Sequence, residues 1–346
     1  MTIEPRYMRR ALQLAARGRA FASPNPMVGA VIVDNNSRII GEGYHRRCGE
    51  LHAEPNAINS VADKSLLRDA TMYVTLEPCS HYGKTPPCAR RIIDEGIPRV
   101  VVGCLDPFEK VSGRGVAMLR EAGVEVTVGV LGQECRELNR RFIYAHTRRR
   151  PWVTLKWAMS RDGYVSGKGP GRTVFSTPVT MAAMHRERAL HDAIAVGAGT
   201  VVADAPRLDT RLWSGRSPRR VVLDSAASPL PADAPLLALS DTLLVTTLPR
   251  PDVAAGTVAA DPRDIPAVLS ALYDRGITSL LVEGGAAVLD SFVRSGLWCE
   301  ARVEIAPVTL GGAGGLRAPA MPLDLSGATR VGESLIVRID NPGVTF

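Results

Sequence analysis

Residues 52–54 read HAE, and residues 75–88 read TLEPCSHYGKTPPC. His52, Cys79 and Cys88 are one imidazole and two thiols, a borderline-soft donor set suited to zinc. Three protein ligands leave the fourth tetrahedral position open to water. Two thiolates cancel the formal charge of the ion, yet bound zinc still lowers the pKa of water toward neutrality. Such a centre activates water for attack on an amidine-like carbon. Glu54 is a poor ligand beside these donors and is suited to carry a proton from the water to a departing amine. Pro87 sets Cys88 at a helix start, where the dipole favours thiolate over thiol. His52 and Glu54, two residues apart, diverge on a regular helix, so a loop-to-helix junction is expected there. The competing reading is a structural zinc site with four protein ligands, His81 supplying the fourth.

Outward from this stretch, strands alternate with helices. Tyr7, Met8, Ala11, Leu12 and Ala15 recur at helical spacing. Residues 28–33 form a β-branched run that ends at the turn Asp34-Asn35-Asn36, and a second strand follows over 38–44. Residues 53–62 read as a helix, 72–76 as a strand, and 87–95 as a helix stopped by Gly96. A strand at 100–104, a helix at 115–122 and a strand at 124–128 complete a layered α/β domain over 1–147. Thr147-Arg148-Arg149-Arg150-Pro151 reads as a linker, since Pro151 cannot continue a helix. A second α/β domain, 151–346, opens with a strand at 152–157. Thr177-Pro178 is an N-cap with proline at the first helical position, leading a helix to 190. Strands follow at 193–196, 219–223, 242–246, 279–282 and 300–305, with helices at 265–275 and 286–294. Residues 226–264, rich in proline, alanine and aspartate, read mainly as loops. No internal repeat relates the halves, so they are two different domains.

The 346 residues carry a net charge of +7, which invites a nucleic-acid partner. Only five of the 42 basic residues are lysine, however, and the arginines are scattered through both halves, so a general arginine bias explains the charge. No nucleic-acid partner is expected. No apolar run approaches the ~18 residues of a membrane helix. The first residues lack the continuous apolar core of a signal peptide, so a cytoplasmic protein is expected. Cys48, Cys104, Cys135 and Cys299 read as isolated packing thiols rather than a disulfide framework.

The HAE and PC pattern resembles the zinc-dependent nucleoside and nucleotide deaminases, whose signature is H-x-E followed by P-C-x-x-C. Here eight residues, not two, separate Cys79 from Cys88. That form is similar to the riboflavin-pathway pyrimidine deaminases, as are Pro24-Asn25-Pro26-Met27-Val28-Gly29-Ala30 and Gly43-Tyr44-His45. The resemblance covers residues 1 to about 145 and implies a cytidine-deaminase-like three-layer α/β/α fold. It also places Asn25, His45, His81 and Lys84 in the substrate pocket. Taken from the residues alone, Asn25 beside two prolines could be a turn residue and His45 a surface histidine at a strand end.

From residue 152 the chain resembles the reductase partner of the same bifunctional enzymes, which implies a dihydrofolate-reductase-like sheet. The matching text is KWAMSRDG at 156–163, DAIAVGAGTVVAD at 192–204, Arg207-Leu208, Arg211, Leu223-Asp224-Ser225 and Val282-Glu283-Gly284-Gly285. Gly197-Ala198-Gly199-Thr200 follows a strand, and Glu283-Gly284-Gly285 follows another and opens a helix. Glycines let backbone approach a pyrophosphate, and a helix N-terminus supplies donors to it. The G-x-G-x-x-G fingerprint is absent, which disfavours a Rossmann domain. By resemblance Ala158, Val174, Thr200, Asp204, Ser225 and the run Gly285, Ala286, Ala287, Val288, Leu289, Asp290 and Ser291 contact NADPH. Arg172, Arg188, Leu208, Arg211 and Glu283 contact substrate, arginines being suited to a phosphate ester. Arg188 could otherwise belong to a solvated helix face. Lys156, a rare lysine between tryptophans in an apolar strand, joins the candidates. It could equally snorkel at a strand edge. The stretch Gly169-Pro170-Gly171-Arg172-Thr173-Val174-Phe175 departs from the family's serine-then-aromatic pattern. Arg161 stands where leucine is usual, and Ala205 where a second aspartate is common.

The expectation is a bifunctional riboflavin-biosynthesis enzyme, a homo-oligomer, using Zn2+ and NADPH on a phosphorylated ribosylaminopyrimidine. The alternatives are a deaminase whose second domain no longer reduces, a tRNA base deaminase, and a non-catalytic zinc-stabilised binding protein.

Overall fold

The strand β1 (Gly29–Val33, GAVIV) buries all five of its residues, as a β-branched run does when helices cover both faces of a sheet. In the computed structural model, which describes residues 3–82, 86–107, 112–169, 173–225 and 230–345, two compact units divide at Arg148/Arg149. In the first unit β1 pairs antiparallel with β2 (Ile39–Tyr44) and β3 (Thr71–Leu76). β3, β4 (Arg99–Cys104) and β5 (Glu125–Val128) run parallel, giving the order β2-β1-β3-β4-β5.

The period of two sorts the side chains into two cores. Ala30, Ile32, Met72, Val74, Val100 and Val102 pack against α2 (Ala53–Ser60), α3 (Cys88–Asp94) and α4 (Arg114–Glu121). Val31, Val33, Tyr73 and Val101 pack against α1 (Pro5–Ala15) and α5 (Gly132–Leu138). The result is three layers. One boundary differs from the sequence reading: α6 (Arg140–Arg148) carries Thr147 and Arg148 inside a helix, with the Thr147 hydroxyl donating to Ile143 O at 2.8 Å. An arginine-rich turn can stay helical when Ile143, Tyr144 and Ala145 anchor its other face.

The second unit is a nine-stranded sheet in the order β10-β9-β8-β7-β11-β6-β12-β14-β13. Its members are β6 (Trp152–Met159), β7 (Ala193–Gly197), β8 (Arg219–Leu223), β9 (Leu243–Thr246), β10 (Gly256–Ala259), β11 (Ser279–Gly284), β12 (Glu300–Ile305), β13 (Thr329–Val331) and β14 (Ser334–Asp340). All neighbours are parallel except β12–β14 and β14–β13. One face packs on α9 (Ile265–Tyr273) and α10 (Ala286–Ser295) through Val153, Leu155, Trp157, Val282 and Val303. The opposite face holds Ile194, Val196 and Leu281. Under α7 (Pro178–Ala189) the sheet instead carries buried polar side chains. Helix α7 starts with a capping box, in which Thr180 N donates to Thr177 Oγ1 and Thr177 N to Thr180 Oγ1.

Three second-unit expectations change. Residues 226–264 include an edge strand, β10, beyond the expected β9. Gly197-Ala198-Gly199-Thr200 is not a loop but the start of α8 (Ala198–Asp204), with Gly197 as N-cap. The antiparallel pair β13–β14 extends the sheet past the last expected strand. Among the described residues, no helix is long and apolar enough to cross a membrane.

Candidate functional site

In the first unit the topology brings three separate segments to one end of the sheet. His52 is the N-cap of α2, with extended backbone, and Glu54 lies in the first helical turn, so the junction separates the two side chains. Cys79 follows β3, and Cys88 is the first residue of α3 behind Pro87. His52 Nδ1 lies 3.3 Å from Cys88 Sγ and 3.7 Å from Cys79 Sγ, and all three donor atoms are within 4.8 Å of one another. Tetrahedral zinc bound at ~2.3 Å to sulfur and ~2.0 Å to nitrogen sets donors roughly 3.5–3.8 Å apart, so this set fits the ion. His81 is exposed and is not part of the converging group.

The electrostatics agree with a cation site. Cys79 is pulled well below the usual thiol range by its hydrogen bond with Cys88, helped by His52, while that same bond and burial push Cys88 up. His52 is raised, chiefly by its hydrogen bond to Cys79. A divalent cation binds such donors by displacing their protons. Glu54 is 2% exposed, and burial, reinforced by the Cys79 charge, pushes its carboxyl up to about 7. A group near the working pH can both accept and return a proton.

A cavity of about 570 Å³ opens over these donors, lined in part by Asn25, Arg46, Glu50, His52, Cys79 and His81. His45 does not line the cavity but is buried beside it, its ring 5.3 Å from that of His52. His45 Nδ1 donates to Leu51 O at 3.1 Å, which leaves Nε2 to accept from the Asn25 amide at 3.1 Å. Asn25 and His45 therefore act as a unit, with the amide oxygen of Asn25 left for other partners. Behind the metal loop, the buried carboxylate of Glu77 accepts main-chain N–H groups from Asp106, Gly113, Gly115 and Val116, at 3.1, 2.9, 2.9 and 3.2 Å. Gly115 allows that approach, since a Cβ there would sit 1.9 Å from Pro78 O.

In the second unit two helix N-termini meet at the ends of the adjacent strands β7 and β11. A Cβ on Gly197 would lie 2.8 Å from Val288 Cγ2, and one on Gly285 would lie 2.9 Å from Thr200 Oγ1. The backbone cradle is therefore one that side chains would fill, as a pyrophosphate requires. Thr200 and Asp204, four apart on α8, share a face. Ala158 is half-buried on β6, and Val174 and Ser225 are exposed. In the run from Gly285 to Ser291, Leu289 points into the core, Asp290 pairs with Arg294, and the Ser291 hydroxyl donates back to Ala287 O. What remains for a ligand is the head of α10 at Gly285, Ala286 and Ala287.

Beside this cradle Arg188 and Glu283 form a buried two-pronged pair, with Nε–Oε1 2.9 Å and Nη2–Oε2 2.7 Å. Burial would raise the Glu283 carboxyl, but Arg188 and Lys156 outweigh it and hold it low. Arg188 Nη1 also donates to Asp209 O, so its guanidinium is occupied from several sides. The half-exposed cation here is Arg211, which with Arg207 pairs to the Asp209 carboxylate at 2.6 and 2.7 Å. Leu208 is buried between them in sequence, at φ +54°. Lys156 is almost fully buried and makes no hydrogen bond among the described residues; burial lowers its pKa.

Residues 151–337 match the RibD C-terminal domain family, and residues 1–104 match the cytidine and deoxycytidylate deaminase zinc-binding region. A riboflavin biosynthesis protein RibD from Bacillus amyloliquefaciens is 42% identical over 324 residues, covering 90% of this chain and 86% of that one. The chain belongs to the RibD family. The RibD of Escherichia coli (strain K12) is 35% identical, with 88% of each chain covered. The RibD structure from Acinetobacter baumannii superposes with TM-score 0.89 at 31% identity over 97% of this chain and 98% of that one. A Thermotoga maritima structure, named a diaminohydroxyphosphoribosylaminopyrimidine deaminase/5-amino-6-(5-phosphoribosylamino)uracil reductase, gives 0.83 at 33% identity and the same coverage. The first unit thus has the cytidine-deaminase fold and the second the reductase fold of RibD proteins, and a tRNA base deaminase is not favoured.

Set against this family, Lys84 and Arg172 lie outside the described residues. The structure adds groups that the sequence reading passed over: Arg46 and Glu50 in the first pocket, and His185, Arg207, Asp209, Arg302 and Glu304 in the second unit. The alternating charges of Glu300, Arg302 and Glu304 carry a period of two, which residue type alone does not separate from the solvated face of a strand.

Proposed function

We propose that His52, Cys79 and Cys88 hold the zinc of a deaminase site, that Glu54 is its proton carrier, and that the second unit reduces the deaminated product. The chain is a bifunctional enzyme of riboflavin biosynthesis, using Zn2+ in one half and NADPH in the other. The observation that carries the residue assignment is the convergence of the three donors beside a buried Glu54, with His52 and Cys79 lining an open cavity.

The substrate is 2,5-diamino-6-(5-phosphoribosylamino)pyrimidin-4-one. Zinc, when bound, makes a water nucleophilic near neutral pH. Glu54 would take a proton from the attacking water and deliver it to the C2 amine, so that as the C2–O bond forms the carbon–nitrogen bond breaks with release of ammonia rather than an amide ion. Asn25, held by His45, orients the pyrimidine ring by its free amide oxygen. His81 closes the ribosyl-phosphate side of the pocket.

NADPH supplies the hydride that converts the ribosyl group to ribityl at C1′. The heads of α8 and α10 receive the pyrophosphate, and Thr200, Asp204, Ala158, Val174 and Ser225 line the cofactor path. Arg211, with Arg207 beside it, receives the substrate phosphate. Arg188 acts by fixing Glu283, which with Lys156 and Leu208 forms the sugar and pyrimidine wall.

The test uses the purified chain with the diamino substrate. Wild type releases ammonia and then oxidises NADPH. Glu54→Ala oxidises NADPH only when given the deaminated intermediate. Oxidation by Glu54→Ala from the diamino compound would remove Glu54 from the mechanism, and ammonia release without NADPH oxidation would remove reduction from the second unit.

A further inference from the structure

Strand β12 alternates apolar and charged residues, yet both of its faces are buried. Ala301 and Val303 enter the core with α9 and α10, while Glu300, Arg302 and Glu304 lie under α7, each 6% exposed or less. By register Glu300 faces Thr154, Arg302 faces Lys156 and Glu304 faces Ala158 across the β6–β12 pairing. Glu300 is satisfied by the Thr154 hydroxyl at 2.7 Å. Glu304 is different. It is fully buried, Oε2 accepts from the Ser176 hydroxyl at 2.7 Å, and Oε1 has no hydrogen-bond partner among the described residues. Arg302 Nη1, two residues away on the same face, is also unpartnered.

A buried carboxylate with half its capacity unused is costly unless other charges hold it. Lys156, two residues along on the same face of the adjacent strand, carries the opposite charge, and Glu283 of β11, Glu304 and Arg302 of β12 and Arg188 of α7 are the charged groups that act on its ammonium. Glu187 and His185 of α7 and Arg338 of β14 flank the same layer, Arg338 donating to Glu187 at 2.9 Å. Ser176 in turn is the last residue before the Thr177 cap of α7, at the end of the segment that carries Val174.

We propose that Glu304 is a positioning residue for the reduction, tying the segment 173–177 to the sheet through Ser176 while sharing a buried sheet face with Lys156. It touches neither substrate nor cofactor. This rests on the reading of Lys156 and Val174 as members of the reductase site.

The experiment is NADPH oxidation by the full-length chain given the deaminated intermediate, at varied NADPH concentration and pH. Glu304→Gln keeps an acceptor for Ser176 but removes the charge. The KM for NADPH should stay within about twofold, while the alkaline limb of the kcat/KM profile moves to lower pH by about one unit, as loss of a nearby opposite charge predicts for an ammonium. Ser176→Ala keeps the charge and loses the tie, so the pH profile stays in place and the KM for NADPH rises about tenfold, the loss of one bond to a charged acceptor. Ser176→Thr should restore it. An unmoved profile in Glu304→Gln, or a wild-type KM in Ser176→Ala, overturns the proposal while leaving the site assignment intact. Full turnover by Lys156→Met overturns the site assignment and the proposal with it. Should Glu304→Gln fail to fold, the serine pair still decides.

Discussion

The carboxylate of Glu77 offers the sharpest test of how the metal loop is held. It accepts four main-chain N–H groups, two on each oxygen, at 2.9–3.2 Å. In Glu77→Gln one oxygen becomes an amino group facing two donors. Two hydrogen bonds to a charged group, at roughly 1.5–3 kcal/mol each, are lost, and buried donors stay unsatisfied at about 1–3 kcal/mol each. Local relaxation returns part of that sum, which leaves about 3–5 kcal/mol of destabilisation in the first unit. All four tryptophans (Trp152, Trp157, Trp213 and Trp298) lie in the second unit, so their fluorescence is blind to this change. Hydrogen exchange read by mass spectrometry is the suitable assay. Protection of the Gly113–Val116 amides should fall by roughly two to nearly four orders of magnitude, following that energy, and zinc should be lost to a chelator at lower concentration. Protection within about tenfold of wild type would show that the four contacts are not what holds the loop.

Removing Glu283 strands a buried guanidinium, so Glu283→Gln should cost the second unit about 3–5 kcal/mol, read by urea unfolding followed through tryptophan fluorescence. In the wild type the folded pKa of Glu283 lies below its ordinary value. The stability it contributes is complete above about pH 4.3 and disappears as pH falls through the folded value, so the urea midpoint should drop below about pH 4. Thiol labelling at pH 8 should modify exposed Cys48 readily. Cys104 and Cys135, buried with pKa values pushed up to about 11 and 12, should stay unmodified, and chelation of zinc should add Cys79 to the reactive set. Gly285→Ala brings a Cβ within 2.9 Å of Thr200 Oγ1. It should raise the KM for NADPH while ammonia release stays at the wild-type rate, measured in the same reaction.

Residues whose role is local were legible in the sequence. The apolar runs of β1, β7 and β11, the Thr177-Pro178 start of α7 and the HAE junction at α2 follow from neighbours along the chain. The donor set also declared itself through residue type. What escaped depends on contacts distant in sequence. Residues 300–305 have the alternation of a half-wet strand, and only the placement of α7 over them makes Arg302 and Glu304 internal. Gly197-Ala198-Gly199 has turn composition but opens α8, because Val201 finds a buried seat on β7 and β8. Arg188 reads as a solvated helix residue until Glu283, 95 positions later, is brought against it.

The order of the nine-stranded sheet has a consequence for synthesis. Strand β6 is the first of the second unit to leave the ribosome, yet its neighbours are β11 and β12. Until residues 279–305 have been translated, the apolar segment Trp152–Met159 has no partner along either edge. The first unit, whose strands all precede residue 129, meets no such delay. Vectorial folding is therefore asymmetric: the deaminase half can close while the reductase half must wait for its last third. A nascent chain arrested between about residues 160 and 280 should carry a finished N-terminal unit and an exposed sticky strand, which is where a chaperone that binds extended apolar segments would act.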